Sequence, residues 1–209
     1  MRLFFGIELD PASRAQIAAV TAGLCRLDVF RGAVVTWVRP SRLHLTLAFL
    51  GEVGPDLATQ VRRVAEERLT LTPFCVEVGT LGAFPHSGVP RALWLGVTKG
   101  EAELAEVHAT LWRRLASLSL TPERRRFAAH LTLGRVKRTP RGRGRAMRDA
   151  LGDVAVPTIA WTVNQVRLYE SRLASSGPSY HLVHHARLAD GGGPLAACGK
   201  NCASHRDPA

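Results

Sequence analysis

Two copies of one tetrapeptide constrain this chain more than any other feature. The segment His44-Leu45-Thr46-Leu47 recurs as His130-Leu131-Thr132-Leu133, and both copies lie in runs that alternate between apolar and polar residues. Such alternation predicts a β-strand with one buried face. Because residues two apart share a strand face, each copy presents one imidazole and one hydroxyl together. The recurrence therefore predicts two strands whose polar faces surround one small anionic group.

A third match to the pattern, His108-Ala109-Thr110-Leu111, is predicted to have no such role. The apolar residues around it keep a spacing of three and four, which indicates a helix. On a helix, residues two apart point to nearly opposite sides, so His108 and Thr110 cannot contact one ligand. For the two strand copies the alternative is that each histidine is a hydrogen-bonded strand residue with a structural role. Their matched recurrence favours the active site.

The length of 209 residues allows one domain of two lobes, and two small domains are the alternative. We expect residues 1–188 to form this domain. Residues 189–209 are rich in Gly, Pro and Ala without periodicity, and we expect a disordered tail there. No apolar run reaches the length of a membrane-spanning helix, and the first residues show no secretory cleavage pattern. These features favour a soluble, cytoplasmic protein, which we expect to be a monomer.

The four cysteines predict neither a disulfide nor a complete metal site. Cys25 and Cys75 lie in apolar patterns and are expected to be small core residues, since a reducing cytosol disfavours disulfides. Cys198 and Cys202, with His205 nearby, resemble a fragment of a zinc site but lack a second ligand pair at suitable spacing. We therefore expect no metal and no cofactor.

Positive charge is concentrated directly after the second tetrapeptide. The formal net charge is +11, which favours polyanionic partners. No acidic residue occurs between positions 135 and 148, and the basic residues there are Arg135, Lys137, Arg138, Arg141, Arg143, Arg145 and Arg148. A phosphate chain that follows this loop would be led toward the histidines. A plain solvated loop and an arginine-rich genome composition are the alternatives.

The remaining pattern predicts an α+β chain in which the order strand, helix, strand, strand, helix occurs about twice. Besides the strand of the second tetrapeptide, strands are expected at 3–9, 34–38, 43–50, 74–78, 92–97, 159–169 and 180–188. Besides the helix that carries His108, helices are expected at 11–27, 56–69 and 145–151. This repetition suggests an internal duplication in which each half supplies one tetrapeptide.

Further segments accompany the two tetrapeptides in a fixed order: Phe49-Leu50-Gly51, Gly82-Ala83-Phe84-Pro85, Leu93-Trp94-Leu95-Gly96, Arg135 and Leu168-Tyr169-Glu170-Ser171. With them, the chain from Arg2 to about Leu188 resembles the RNA 2',3'-cyclic phosphodiesterases. These are also called 2'-5' RNA ligases and belong to the two-histidine phosphoesterase superfamily. The resemblance implies a bilobal α+β fold with two antiparallel sheets around a central cleft, helices outside and a pseudo-two-fold axis.

The resemblance also implies metal-independent opening of an RNA-terminal 2',3'-cyclic phosphate to a 2'-phosphate, with 2'-5' RNA ligase activity as a further expectation. By analogy with relatives, His44 is expected to donate a proton to the leaving 3'-oxygen, and His130 to accept one from water. The near-symmetry of the motifs leaves the reverse assignment open. Thr46 and Thr132 would donate hydrogen bonds to phosphate oxygens. Arg135 would add a charge-assisted contact to the phosphate.

Aromatic residues give weaker predictions. Phe4 is a candidate for stacking on the terminal base, and core packing is its alternative. Trp37, Trp94 and Trp161 lie in strand patterns and are expected in the core. For Tyr169 the resemblance implies a place near the cleft without a defined role.

Two other functions stay open. One is a phosphodiesterase for a small cyclic nucleotide phosphate, against which the basic loop argues because a mononucleotide offers few phosphates to contact. The other is a non-catalytic RNA-binding module, which would need neither threonine of the two tetrapeptides.

Overall fold

The computed structural model describes residues 1–122, 126–174, 177–189 and 198. The tail predicted at 189–209 therefore lies outside the described residues, except at positions 189 and 198. Cys202 and His205 lie outside them as well. Within the described ranges, no helix combines the length and the apolar character that crossing a bilayer requires.

The described ranges contain nine strands and four α-helices, in the α+β order that the sequence predicts. The strands are β1 Arg2–Glu8, β2 Val34–Trp37, β3 His44–Glu52, β4 Phe74–Phe84, β5 Ala92–Lys99, β6 His130–Arg138, β7 Ile159–Val163, β8 Gln165–Ala174 and β9 Gly177–Arg187. The helices are α1 Pro11–Cys25, α2 Pro55–Glu66, α3 Glu101–Ala116 and α4 Gly144–Asp153.

The strands form one antiparallel sheet in the order β7-β4-β5-β6-β3-β1-β8-β9, and β2 pairs separately with β6. The two halves of this order are equivalent. In one half β3 pairs with β1, and α1 lies between these strands in the chain; in the other half β6 pairs with β5, and α3 lies between them in the chain. The predicted duplication is therefore visible in the topology. The two expected sheets are the halves of one continuous sheet, joined between β3 and β6.

Helix α1 shows how local sequence sets the element bounds. The Asp10 carboxylate accepts a hydrogen bond from the Ser13 amide at 2.8 Å, and Pro11 occupies the first turn, where a missing N–H costs nothing. The helix ends at Cys25, where the Arg26 amide bonds back to the carbonyls of Gly23 and Leu24. It is therefore two residues shorter than predicted.

The single strand predicted at 159–169 is wrong. The structure has two strands there, β7 and β8, which pair with β4 and β1 in opposite halves of the sheet. Odd-numbered residues are buried before Asn164 and even-numbered residues from Val166 to Leu168. A continuous strand cannot bury both series on one face, since its side chains alternate strictly. The chain crosses from one half of the sheet to the other at Asn164.

The cysteine predictions are also wrong. Cys25 is exposed at the end of α1, and the half-buried Cys75 on β4 forms a disulfide with Cys198. The two partners are 123 residues apart, and no local pattern signals that the chain returns to β4. Because Cys198 is engaged in this bond, it is not a free ligand for the zinc fragment considered above.

Candidate active site

The two tetrapeptide strands meet at the centre of the sheet. Leu45 on β3 lies directly opposite Leu131 on β6, and their side chains are only 2% and 0% exposed. Because side chains alternate along a strand, the histidine and threonine of each copy lie on the other face of the sheet. This polar face is called the cleft face below.

The same contact brings the two copies together. Leu45 and Leu131 are each flanked by the histidine and the threonine of their own copy, so all four polar residues lie within one residue of this contact. The two imidazoles are close enough for the charge of His130 to lower the pKa of His44.

Both imidazoles are held in the same way by the backbone two residues before them. His44 Nδ1 lies 2.8 Å from the Arg42 carbonyl oxygen, and His130 Nδ1 lies 2.7 Å from that of Ala128. A carbonyl can only accept, so Nδ1 carries the proton in each ring. Nε2 is then the nitrogen of each ring that can exchange a proton with a ligand.

Both histidines are weaker bases than free histidine. Burial lowers the pKa of His44 below its usual 6.5, and the charge of His130 lowers it further, against the opposing hydrogen bond to Arg42. Burial also lowers the pKa of His130, helped by the positive charge of Arg135 and opposed by the bond to Ala128. Both rings are therefore mainly neutral at pH 7 when no anion is bound.

The two threonines have hydroxyls available to a ligand. Thr46 is exposed and Thr132 half-buried. Across the described ranges, neither hydroxyl has a hydrogen-bond partner in the protein. Each can therefore donate to an anion on the cleft face without breaking an existing bond.

A β-bulge in each tetrapeptide strand explains why position 135 faces the cleft. The register of β3 with β1 skips Leu47, and the register of β6 with β5 skips Leu133. In both strands the residue at the bulge and the one after it are buried, namely Leu47–Ala48 and Leu133–Gly134. The alternation then resumes in the opposite phase. This change turns Phe49 and Arg135 to the cleft face, and the charge of Arg135 accordingly acts on His130.

His44 is surrounded by aromatic rings. The ring centroids of Phe4 and Tyr180 lie 4.8 Å and 4.9 Å from that of His44. Phe4 also stacks on Tyr169 at 5.2 Å and is only 3% exposed. Phe4 is therefore packed among protein rings, as its core-packing alternative expects, and its stacking on a base stays a prediction. In this structure the Phe4 ring supports the His44 imidazole.

His130 has a corresponding aromatic wall. Phe84 lies 5.0 Å and Trp94 6.5 Å from the His130 ring, and His86 lies 5.0 Å from Phe84. The prediction that Trp94 is a core residue is wrong, since this half-buried side chain lies beside His130 on the cleft side of β5. The indole occupies the space above Gly82, where any Cβ would overlap it.

The charges of three arginines affect the hydroxyl of Tyr180, a cleft residue that was not predicted from the sequence. Burial raises the pKa of the Tyr180 hydroxyl, while the charges of Arg135, Arg42 and Arg2 lower it. Arg2 also lies over the Phe49 ring, with its guanidinium carbon 4.9 Å from the ring centroid. The cleft near Tyr180 is therefore positively charged and suited to a phosphate.

A small cavity of about 210 Å³ opens beside His44. Its lining includes Tyr169, Tyr180 and the ion pair of Glu8 with Arg167. Tyr169 thus lies near the cleft, where the family resemblance places it. Within the described ranges, no three His, Cys, Asp or Glu side chains are grouped as metal ligands would be.

Comparison with known proteins gives the family. Residues 10–174 match the family model of the 2'-5' RNA ligase superfamily. An RNA 2',3'-cyclic phosphodiesterase of Archaeoglobus fulgidus is 33% identical over 184 residues, which are 86% of this chain and 96% of that protein. One of Aeropyrum pernix is 34% identical over 164 residues, covering 77% of this chain and 90% of the relative.

Solved structures agree in fold over nearly the whole chain. A crystal structure of a Thermus thermophilus protein superposes with a TM-score of 0.70 at 25% identity and covers 91% of this chain and 99% of its own. E. coli LigT, crystallised with 3'-AMP, gives 0.68 at 27% identity, with 90% and 98% covered. By these matches, together with its paired tetrapeptide strands, the chain belongs to the 2'-5' RNA ligase superfamily.

Proposed function

We propose that this protein opens the 2',3'-cyclic phosphate at the end of an RNA to a 2'-phosphate, by acid–base catalysis and without a metal. The observation that carries this proposal is the contact between the two tetrapeptide strands, in which two imidazoles and two hydroxyls share one face of the sheet, and each Nε2 is free of the backbone bond made by Nδ1. The activity named for the relatives from Archaeoglobus and Aeropyrum supports the same reaction.

The reaction needs a base on one side of phosphorus and an acid on the other. In our proposal His130 accepts a proton from water, whose oxygen forms the new bond to phosphorus. The bond from phosphorus to the 3'-oxygen breaks, and His44 donates a proton to that oxygen. Each such group contributes typically ~10²–10⁴ in rate. The product is a 2'-phosphomonoester with a free 3'-hydroxyl.

Thr46 and Thr132 are proposed to donate hydrogen bonds to the non-bridging oxygens, where negative charge grows in the transition state. Each hydroxyl lies on the same strand face as the histidine two residues before it, so one phosphorus centre between the rings would be within reach of both. Arg135, turned to the cleft by the bulge in β6, would supply a positive charge to the same oxygens.

Further proposals follow from the same site. A monomer would suffice, since all four polar residues come from one chain. Residues 1–188 are proposed to act as one bilobal domain, because the two halves share a continuous sheet. A cytoplasmic location remains a prediction. If an RNA 5'-hydroxyl replaced water as the attacking group, the same proton transfers would give a 2'-5' linkage, which is the proposed ligase activity.

The test is to offer an oligonucleotide that ends in a 2',3'-cyclic phosphate and to identify the product isomer. We expect a 2'-phosphate from the unaltered protein and little product from His44→Ala or His130→Ala. Accumulation of a 3'-phosphate would overturn the proposed leaving group. A double variant, Thr46→Val with Thr132→Val, distinguishes an enzyme from a non-catalytic RNA-binding module. The enzyme would lose turnover, whereas the binding module would keep its affinity for RNA.

A further inference from the structure

A larger cavity, about 550 Å³ in volume, lies outside the paired strands. It opens between the loop that follows β4 and the basic loop that leads into α4. Glycine and proline residues form part of its wall. The polar side chains that line it are His86, Ser87, Thr139, Arg141, Arg145 and Arg148. No acidic side chain is among the lining residues, so the cavity is suited to an anion.

Backbone contacts hold part of this basic wall in place. Arg148 donates from Nε and Nη2 to the Gly88 carbonyl oxygen at 3.2 and 2.6 Å, which joins α4 to the loop after β4. A carbonyl does not neutralise the guanidinium charge. Arg145 makes an exposed ion pair with Asp149 at 3.7 Å, a contact that contributes little in water. The Thr139 hydroxyl is buried and lacks a partner within the described part of the chain.

Not every arginine of the basic loop faces this cavity. Arg143 donates to the Asp28 carbonyl oxygen at 3.2 Å and does not line it. Arg141, Arg145 and Arg148 do, and Gly142, with φ 79°, provides the left-handed turn between the first two. The structure therefore divides a uniform run of positive charge into residues that form a cavity and residues that do not.

Aromatic rings connect the cavity to the cleft. His86 lines the cavity, its ring lies 5.0 Å from that of Phe84, and the Phe84 ring lies 5.0 Å from that of His130. The cavity wall therefore begins within about 10 Å of His130. Rings followed by arginines are the pattern on which single-stranded nucleic acid is bound.

We propose that this cavity binds phosphodiester groups of the RNA strand on the 5' side of the cyclic end. The proposal rests on the proposed function, because the histidines define where the terminal phosphate lies. Arg141 and Arg145 contact backbone phosphates, and Arg148 supports the wall. The protein therefore prefers an oligonucleotide to a 2',3'-cyclic mononucleotide, which is too short to reach the arginines.

The experiment compares substrates of increasing length. We would measure kcat/KM for adenosine 2',3'-cyclic phosphate and for RNAs of about two, four and eight nucleotides with the same end, each over a range of salt concentrations. The test variant is Arg141→Ala with Arg145→Ala. The matched control is Arg62→Ala with Arg63→Ala, which removes equal charge from the exposed side of α2.

For the eight-nucleotide RNA, we expect the test variant to lose about tenfold or more in kcat/KM. The slope of log(kcat/KM) against log[salt] should fall by about 1.4, since each single-strand phosphate contact contributes ~0.7. For the cyclic mononucleotide, the test variant should keep the kcat/KM of the unaltered protein. The control variant should keep it for every substrate. Equal losses for short and long substrates, or no dependence on length in unaltered protein, would overturn the proposal.

Two further binding measurements distinguish failure of this proposal from failure of the proposed function. Fluorescence polarisation of an eight-nucleotide RNA without a cyclic end tests the cavity even if the protein opens no cyclic phosphate, so failure of the proposed function is distinguishable. Lost RNA affinity in the test variant supports the cavity, and unchanged affinity rejects it. A third outcome is possible: inorganic phosphate alone binds tightly, the test variant loses that binding, and RNA length has no effect on kcat/KM. This result would assign the cavity to a free anion and reject the RNA strand.

Discussion

Leu45 and Leu131 form the cross-strand pair that joins the two halves of the sheet. Both side chains are buried, and each is flanked by the histidine and the threonine of its own copy. A shift of one residue would turn the imidazoles into the core and the leucines into the cleft. The packing of two leucines therefore determines whether the two histidines face one ligand.

Replacing Leu131 by alanine should destabilise the protein strongly. A buried leucine truncated to alanine costs about 2–5 kcal/mol in the free energy of unfolding, because a cavity remains. Urea denaturation measures this loss. Leu182→Ala is the control, since that side chain is 52% exposed and should cost little. Similar losses in both variants would contradict the assigned core.

Substitution of either cleft histidine should reduce kcat without unfolding the chain. We expect His44→Ala and His130→Ala each to lower kcat by about 10²–10⁴, the usual contribution of a general acid or base. His185→Ala on the exposed side of β9 should leave kcat unchanged. If one histidine proved dispensable, the two-histidine mechanism would be wrong.

The activity should have a bell-shaped pH dependence with its maximum below pH 6.5. One imidazole must be protonated and the other neutral, and this combination is most populated between the two apparent pKa values. Burial lowers the pKa of both His44 and His130 from 6.5, so both limbs of the kcat/KM profile move toward acid. A maximum above pH 7 would contradict these directions.

Arg135→Gln should move one limb of that profile. The charge of Arg135 lowers the pKa of His130, so its removal should raise that pKa and shift the corresponding limb toward higher pH. Loss of a phosphate contact should also raise KM. A rise in KM with an unmoved profile would mean that Arg135 acts on the substrate alone.

Gly82→Ala should disturb the wall beside His130. An added Cβ would overlap the Trp94 indole, so the ring must move, and overpacking of this kind typically costs about 1–3 kcal/mol. We expect lower kcat and changed tryptophan fluorescence. Gly79→Ala on the same strand is the control, because its Cβ would lie at an ordinary 3.7 Å from Thr98 Cγ2. Equal kcat and equal tryptophan fluorescence in the two variants would show that Trp94 does not support the site.

The tetrapeptide strands were predictable because their signal is local. Alternation around His44 and His130 identifies both strands and their polar faces, and a spacing of three and four identifies the helix of His108. The structure places His108 in α3, where its Nδ1 lies 2.7 Å from the Leu47 carbonyl oxygen, so this third histidine supports β3 from the core side. The break at Asn164 was missed, although the apolar residues change there from odd positions, Ile159, Trp161 and Val163, to even positions, Val166 and Leu168.

Other features depend on contacts that no local pattern records. Tyr180 is brought to His44 only by the pairing of β9 with β8 and of β8 with β1. Phe4 lies in an apolar strand segment, but two of the rings that cover it come from β8 and β9. The disulfide of Cys75 with Cys198 likewise joins distant segments. Such long-range pairings follow from the fold as a whole.

The metal-free part of the proposal has its own test. The proposed reaction assigns both proton transfers to imidazoles. We expect turnover to persist after exhaustive treatment with a chelator. Complete loss on chelation, restored by adding a divalent metal, would require a different mechanism.

The most direct measurement is a crystal structure with uridine 2',3'-cyclic vanadate, which mimics the five-coordinate phosphorus. We predict that the Nε2 atoms of His44 and His130 lie within hydrogen-bond distance, about 2.6–3.2 Å, of the two apical oxygens. The hydroxyls of Thr46 and Thr132 should contact equatorial oxygens. A vanadate bound elsewhere, or one that only a single histidine contacts, would contradict the account.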